Sequence, residues 1–163
     1  MEVKRVGNCV HITGHLDSVL NPQLKKIALE AIDTGSKIRF DLSQAIRFSS
    51  TGMQHWIRFV RDLGKPVVYV RCPVWLIEQF NMVMQFLDGI EVESFFAPYF
   101  CESLDEPMNR LLVVGTDVPE QESYNDYEFE NVYVGDHRFE PDFPASEYLV
   151  FLTELTRRKS EAA

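Results

Sequence analysis

Val10 and Ile12 alternate with Cys9, His11 and Thr13, the period of a strand with one buried side, and Gly14 ends the pattern. Asn21-Pro22 reads as an N-cap followed by proline at the first helical position, and Leu24, Ile27, Ala28 and Ala31 then recur at helical spacing up to Gly35. Ile38, Phe40 and Leu42 alternate with charges in "KIRFDL", predicting a second strand. A triplet of hydroxyl residues, Ser49, Ser50 and Thr51, precedes a helix with Met53, Trp56, Ile57, Val60 and Leu63 on one face, closed by Gly64. "PVVYV" is a continuous apolar run, as in a strand covered on both sides. Pro73 opens a third helix, expected to reach about Leu87 with Val74, Ile77, Phe80 and Met84 inward, and "VESFFAPYF" is strand-like again.

Strands alternating with helices over residues 1–98 predict an α/β layer with helices packed on a sheet. After Cys101 the rhythm changes: "RLLVVGT" and "EFENVYV" read as strands of a small β extension. A last helix, about Ala145–Arg158, gathers Tyr148, Leu149, Phe151, Leu152 and Leu155 on one face, which must cover either the first domain or another chain. The expected organisation is therefore an α/β domain over 1–98, a β extension over 99–143 and an amphipathic helix over 144–163. The helix offers a route to a homo-oligomer.

Charge changes this picture in one place. The chain of 163 residues carries a net charge of −9, yet residues 1–100 are nearly neutral, with 11 Lys/Arg against 10 Asp/Glu. Residues 117–142 hold nine acids against Arg138 alone, a local charge of −8. Such a surface repels phosphate backbones, so nucleic acid is not expected as a direct partner. No apolar stretch is long enough for a membrane span, the first residues lack the apolar core of a secretory leader, and three scattered cysteines (Cys9, Cys72, Cys101) do not make a disulfide framework. A cytoplasmic protein with reduced thiols is the expectation.

Three short motifs occur in order: "GHLD" (Gly14–Asp17), "DLS" (Asp41–Ser43) and "SSTGM" (Ser49–Met53). Together, over about residues 1–98, they resemble the STAS domain family, typified by bacterial anti-sigma factor antagonists. The resemblance implies a STAS-type sheet and a non-enzymatic signalling role, in which a serine at the start of the second helix accepts phosphate and thereby releases an anti-sigma kinase. Carried over, the acceptor is Ser50, and Asp17, Ser49, Ser50, Thr51 and Gly52 form the partner-binding sheet end. One departure stands out: the family's aspartate before the acceptor is here Ser49, which removes a charge the cognate kinase reads and leaves constitutive partner binding as an alternative. STAS relatives also suggest a second function, nucleotide or lipid sensing or an accessory role in lipid transport, with Trp56, Trp75, Phe95 and Phe96 as candidate pocket residues.

"APYFCESL" (Ala97–Leu104), "NVYVG" (Asn131–Gly135) and "PASEYLVFL" (Pro144–Leu152) resemble the zinc-ribbon-like tail of some STAS-like proteins. Tetrahedral zinc needs four thiolate or imidazole ligands. Leu104, Asn131 and Val134 occupy three of the four positions and leave Cys101 alone, so no metal is expected. No cofactor motif is present: Gly14 and Gly52 do not build a phosphate loop. A hydrolase would recruit His15, Asp17 and Ser50, but no Gly-x-Ser-x-Gly elbow surrounds Ser50, and the chain reads as no enzyme. Cys9 and Cys72 read as small buried hydrophobes.

Overall fold

The computed structural model describes residues 1–16, 22–31 and 37–162. β1 (Glu2–Val6) and β2 (Cys9–Leu16) form an antiparallel hairpin that turns at Gly7, whose φ of +61° favours a residue without a side chain. Next come α1 (Leu24–Glu30), β3 (Ile38–Phe48), α2 (Ser50–Asp62), β4 (Val67–Val70), α3 (Val74–Met82), a 3-10 turn (Met84–Leu87) and β5 (Ile90–Val92). Among the described residues these strands make one five-stranded sheet in sequence order, with every pair after the hairpin parallel. The expected α/β architecture of a sheet with helices packed on it, a β extension and a C-terminal helix is what the chain forms.

Helices α2 and α3 cover one face of this sheet. Trp56 meets the edge of Phe40 with ring centres 5.3 Å apart, and Phe80 stacks on Tyr69 at 5.8 Å. Leu24 and Ala28 of α1 join the same core. Trp56 donates a 2.8 Å hydrogen bond from its indole to the Tyr69 hydroxyl, so two large polar-tipped rings are buried without an unpaired group. On the alternate positions at the start of β3 the chemistry is charged: Lys37, just before the strand, pairs with Glu91 at 2.9 Å, Arg39 with Glu93, and Asp41 with Arg71. Long charged stems thus lie over the side of the strands opposite the aromatic core.

β3 is longer than "KIRFDL" predicts, and two irregularities explain why. The β2–β3 register shifts between His11 and Thr13 and again between Gly14 and Leu16. Each shift places an extra residue in β3, so its buried positions run Phe40, Leu42, Ala45, Phe48 instead of keeping a strict alternation.

The second sheet contains β6 (Ser94–Cys101), β7 (Glu106–Val113), β8 (Val132–Val134) and β9 (His137–Pro141), all antiparallel, in the order β7-β6-β9-β8. Residue 98 lies inside β6, and β6 grows directly out of the first sheet. Cys72 donates to Ser94 O at 3.0 Å and accepts from Phe96 N at 2.8 Å, continuing the end of β4 into the new sheet. One apolar core runs through all three segments, from Val10 to Leu155.

The C-terminal helix differs from its expected single run. It is α4 (Ala145–Tyr148) and α5 (Val150–Ala162), broken at the fully buried Leu149. Asn81 of α3 holds the break, accepting from Phe151 N at 2.9 Å and donating to Tyr148 O at 3.1 Å and Glu147 O at 3.3 Å. Phe151, Leu152 and Leu155 are buried within the chain, so of the two expected roles of this apolar face it takes the first, covering the rest of the same chain. Two further expectations are corrected. Met84 does not extend α3, because the chain breaks at Val83 and the 3-10 turn that follows buries Phe86 and Leu87 instead. Of "EFENVYV" only Val132–Val134 is strand, while β7 starts earlier than "RLLVVGT" suggested.

Candidate functional site at the start of α2

The three hydroxyl residues separate into distinct roles. Ser49 is the N-cap: its backbone is extended (φ −75°, ψ 159°) and its Oγ accepts from Gly52 N at 3.0 Å. Gly52 is buried beneath it. Ser50 is the first residue of α2, exposed, and its hydroxyl has no hydrogen bond among the described residues. Thr51 is exposed beside it. The cap is therefore built without Ser50, whose hydroxyl is unbonded among the described residues and sits at the positive end of a 13-residue helix. No acidic residue lies in the first turn.

The second half of β3 sets this position. Ser49 N donates to Leu16 O at 3.2 Å, so the chain leaving β2 starts beside the first turn of α2. Asp17 is the next residue, and it lies outside the described residues, as do Asn21 and Gly35. His15 is exposed, and Ser50 is not assembled with it into any contact among the described residues.

Ser50 borders a groove of about 460 Å³ between α2 and α3, with Phe48, Met53 and Trp75 as its apolar lining and Arg47, Glu78 and Gln79 around it. Trp75 donates from its indole to Ala45 O at 3.0 Å and packs edge-on against Phe48 at 5.4 Å, fixing the start of α3 to the end of β3. Ile46 projects outward with 55 % of its surface exposed. Of the aromatic residues singled out as pocket candidates, Trp75 lines this groove, while Trp56 and Phe95 are core. Glu78 and Gln79 gave no signal in the sequence, because they reach the site only through the packing of α3 on β3.

A second polar cluster sits along β3 around Asp41, nine residues before Ser50 in sequence. Asp41 is 3 % exposed, receives Arg71 and the Ser43 amide (3.0 Å), and lies 3.2 Å from Nδ1 of His11. Burial alone would raise its carboxyl, but the hydrogen bonds from Arg71 and Ser43 outweigh it and hold the group below its ordinary range. Arg71 adopts φ +53°, a left-handed conformation unusual for a side-chain-bearing residue, and its N–H donates to Ser94 Oγ at 2.9 Å. Burial pushes the thiols of Cys9 and Cys72 upward, and the nearby Asp41 charge adds to this, so neither is an activated nucleophile.

In the extension, Cys101 is fully buried, 3.2 Å from Ser103 Oγ, which is in turn 3.2 Å from His137 Nδ1. The turn after β6 and the turn between β8 and β9 are thus joined by hydrogen bonds through Ser103. Leu104, Asn131 and Val134 bring no ligand atoms of the kind zinc takes, and no cluster of three metal-binding side chains forms among the described residues. No helix among the described residues is long and apolar enough to cross a membrane. Compared with protein-family models, with curated proteins and with solved structures, the chain gives no significant match.

Proposed function

We propose that this chain is a non-enzymatic signalling module of the STAS type, which binds a partner protein of the anti-sigma kinase kind at the start of α2 and is switched by phosphorylation of Ser50. The observation that carries the reading is the division of labour between Ser49 and Ser50. Because Ser49 caps the helix, Ser50 can be modified without breaking the cap. A phosphate there adds about −1.5 to −2 charges in a spot favourable for the helix but directly on the rim of the groove beside Phe48, Met53 and Trp75. A partner seated in that groove would meet a new, hydrated dianion. Ser49, Ser50, Thr51 and Gly52, with the groove residues Phe48, Met53 and Trp75, form the binding surface in this reading.

The volume of the groove, about 460 Å³, also falls within the range of small-molecule sites and supports a second reading, a nucleotide or lipid sensor. The deciding experiment maps phosphate on the tryptic peptide Phe48–Arg58 from protein purified out of its own cells under several growth conditions. Phosphate on Ser50 that changes with condition is expected. A peptide that stays bare at full coverage overturns the switch, and a thermal shift with nucleotides or lipids would then favour the sensor.

A further inference from the structure

Between β7 and β8 the chain crosses residues 119–131 without regular secondary structure. Irregular stretches of this length inside a folded domain are usually binding loops or disordered linkers. This one is pinned by its own rings. Tyr124 meets Tyr127 at 5.8 Å, Tyr127 meets Phe129 at 5.5 Å, and Phe129 meets Tyr148 of α4 at 6.5 Å. The Tyr124 hydroxyl donates to Pro119 O at 2.7 Å and that of Tyr127 to Asp117 O at 3.0 Å. Between this segment, β9 and the start of α4 lies a groove of about 560 Å³, lined among others by Tyr127, Glu128, Phe129, Arg138, Glu140 and Phe143. Phe143 stacks on Tyr148 yet leaves 40 % of its surface exposed.

Of the acids that line this groove, Glu140 is paired with Arg138 and Glu128 makes no ion pair among the described residues; further acids lie along the same segment of chain. Asp117 caps the Val113 amide and Glu120 holds Lys159 at 2.7 Å. Glu122, Asp126, Glu128, Asp136 and Asp142 are exposed and make no ion pair among the described residues. Arg138, the segment's single cation, is itself paired with Glu140. Aromatic faces beside the free Glu128 carboxylate suit a guanidinium or ammonium group, which gains from the ring quadrupole and from the carboxylate together.

We propose that this groove is the docking site for a basic segment of a partner protein, whose arginine or lysine side chains lie over Tyr127, Phe129 and Phe143 and reach Glu128. The chain's own basic run is a poorer source of such a segment, because its cations are paired within the chain. Arg157 pairs with Glu154 and Glu161, Arg158 with Asp88 and Glu154, and Lys159 with Glu120. The local charge of −8 steers a cationic partner toward the site and repels nucleic acid.

The test is selection of a displayed library of random peptides, about twelve residues long, against the full chain, followed by titration of the most enriched peptide, fluorescently labelled. Enriched sequences should be rich in arginine and lysine. Their amide shift changes on the protein should concentrate at residues 125–131 and 138–146. Phe143→Ala and Glu128→Gln should each weaken binding about five- to tenfold, as expected of an interface anchor and a charge-assisted contact. Glu128 is exposed and its side chain makes no bond among the described residues, so E128Q decides the matter if the Phe143 variant fails to fold. Enrichment without basic residues, no enrichment, or a basic peptide indifferent to both substitutions overturns the proposal, the last by showing diffuse attraction with no seat in the groove.

Discussion

Replacing Ser49 and Ser50 one at a time separates the helix cap from the proposed switch. Ser49→Ala removes the acceptor of the Gly52 amide. Gly52 is buried, so water does not readily take the lost place, and the cost should be near the typical value for a serine cap, about 1 kcal/mol. Ser50→Ala removes an exposed hydroxyl that makes no hydrogen bond among the described residues and places a better helix former in the first turn, so stability should stay within about 0.5 kcal/mol. Equilibrium unfolding in urea reads both. With a slope of roughly 2 kcal/mol per molar, the Ser49 variant should shift its midpoint down by about 0.5 M, and the Ser50 variant should superpose on the parent. A Ser50→Ala protein destabilised as much as Ser49→Ala would refute the assignment of the cap. The free hydroxyl on which the phosphorylation reading rests would then be engaged in the fold.

Other perturbations follow from the packing. Asn81→Ala should destabilise the chain by about 2 kcal/mol, because three bonds at the α4–α5 break are lost, and amide exchange should quicken first at Phe151. Trp56→Phe leaves the Tyr69 hydroxyl buried without its donor and opens a void, for an expected loss of about 2 to 4 kcal/mol in the same urea assay. The Asp41 carboxyl is held below its unfolded value near 4, so the unfolded chain binds more protons in that window. Its contribution is complete above that value and is lost as pH falls through the depressed one. Stability measured from pH 6 down to pH 2 should therefore decline less steeply in Asp41→Asn than in the parent, even though the variant is less stable at neutral pH; parallel curves would contradict this.

The reach of the sequence differs from element to element. Where one face of an element is buried and the other wet, the pattern sufficed: Val10 and Ile12 in β2, and Trp56, Val60 and Leu63 along α2, are buried as their spacing requires. β1 was not legible, because a hairpin edge strand with nearly every residue exposed carries no hydrophobic alternation, and its partner β2 supplies the pairing. The end of β3 was misread for the opposite reason. Bulges reset which side chains face inward, and a period-two template sees the reset as a stop. The hydroxyl triplet was visible as a helix start, but which hydroxyl caps and which stands free depends on a backbone dihedral at Ser49 and on Leu16 holding its amide.

Local chemistry thus determined the order of most elements, the α/β class, the hydroxyl-rich start of α2 and the concentration of acid in residues 117–142, because each follows from neighbours along the chain. The tertiary structure decided what those features face. It turned the last helix onto α3 through Asn81, placed Trp75 and Glu78 beside Ser50, and folded the acidic segment around an aromatic groove. Such contacts join residues far apart in sequence, and they arise from how buried faces find one another, which no local spacing encodes.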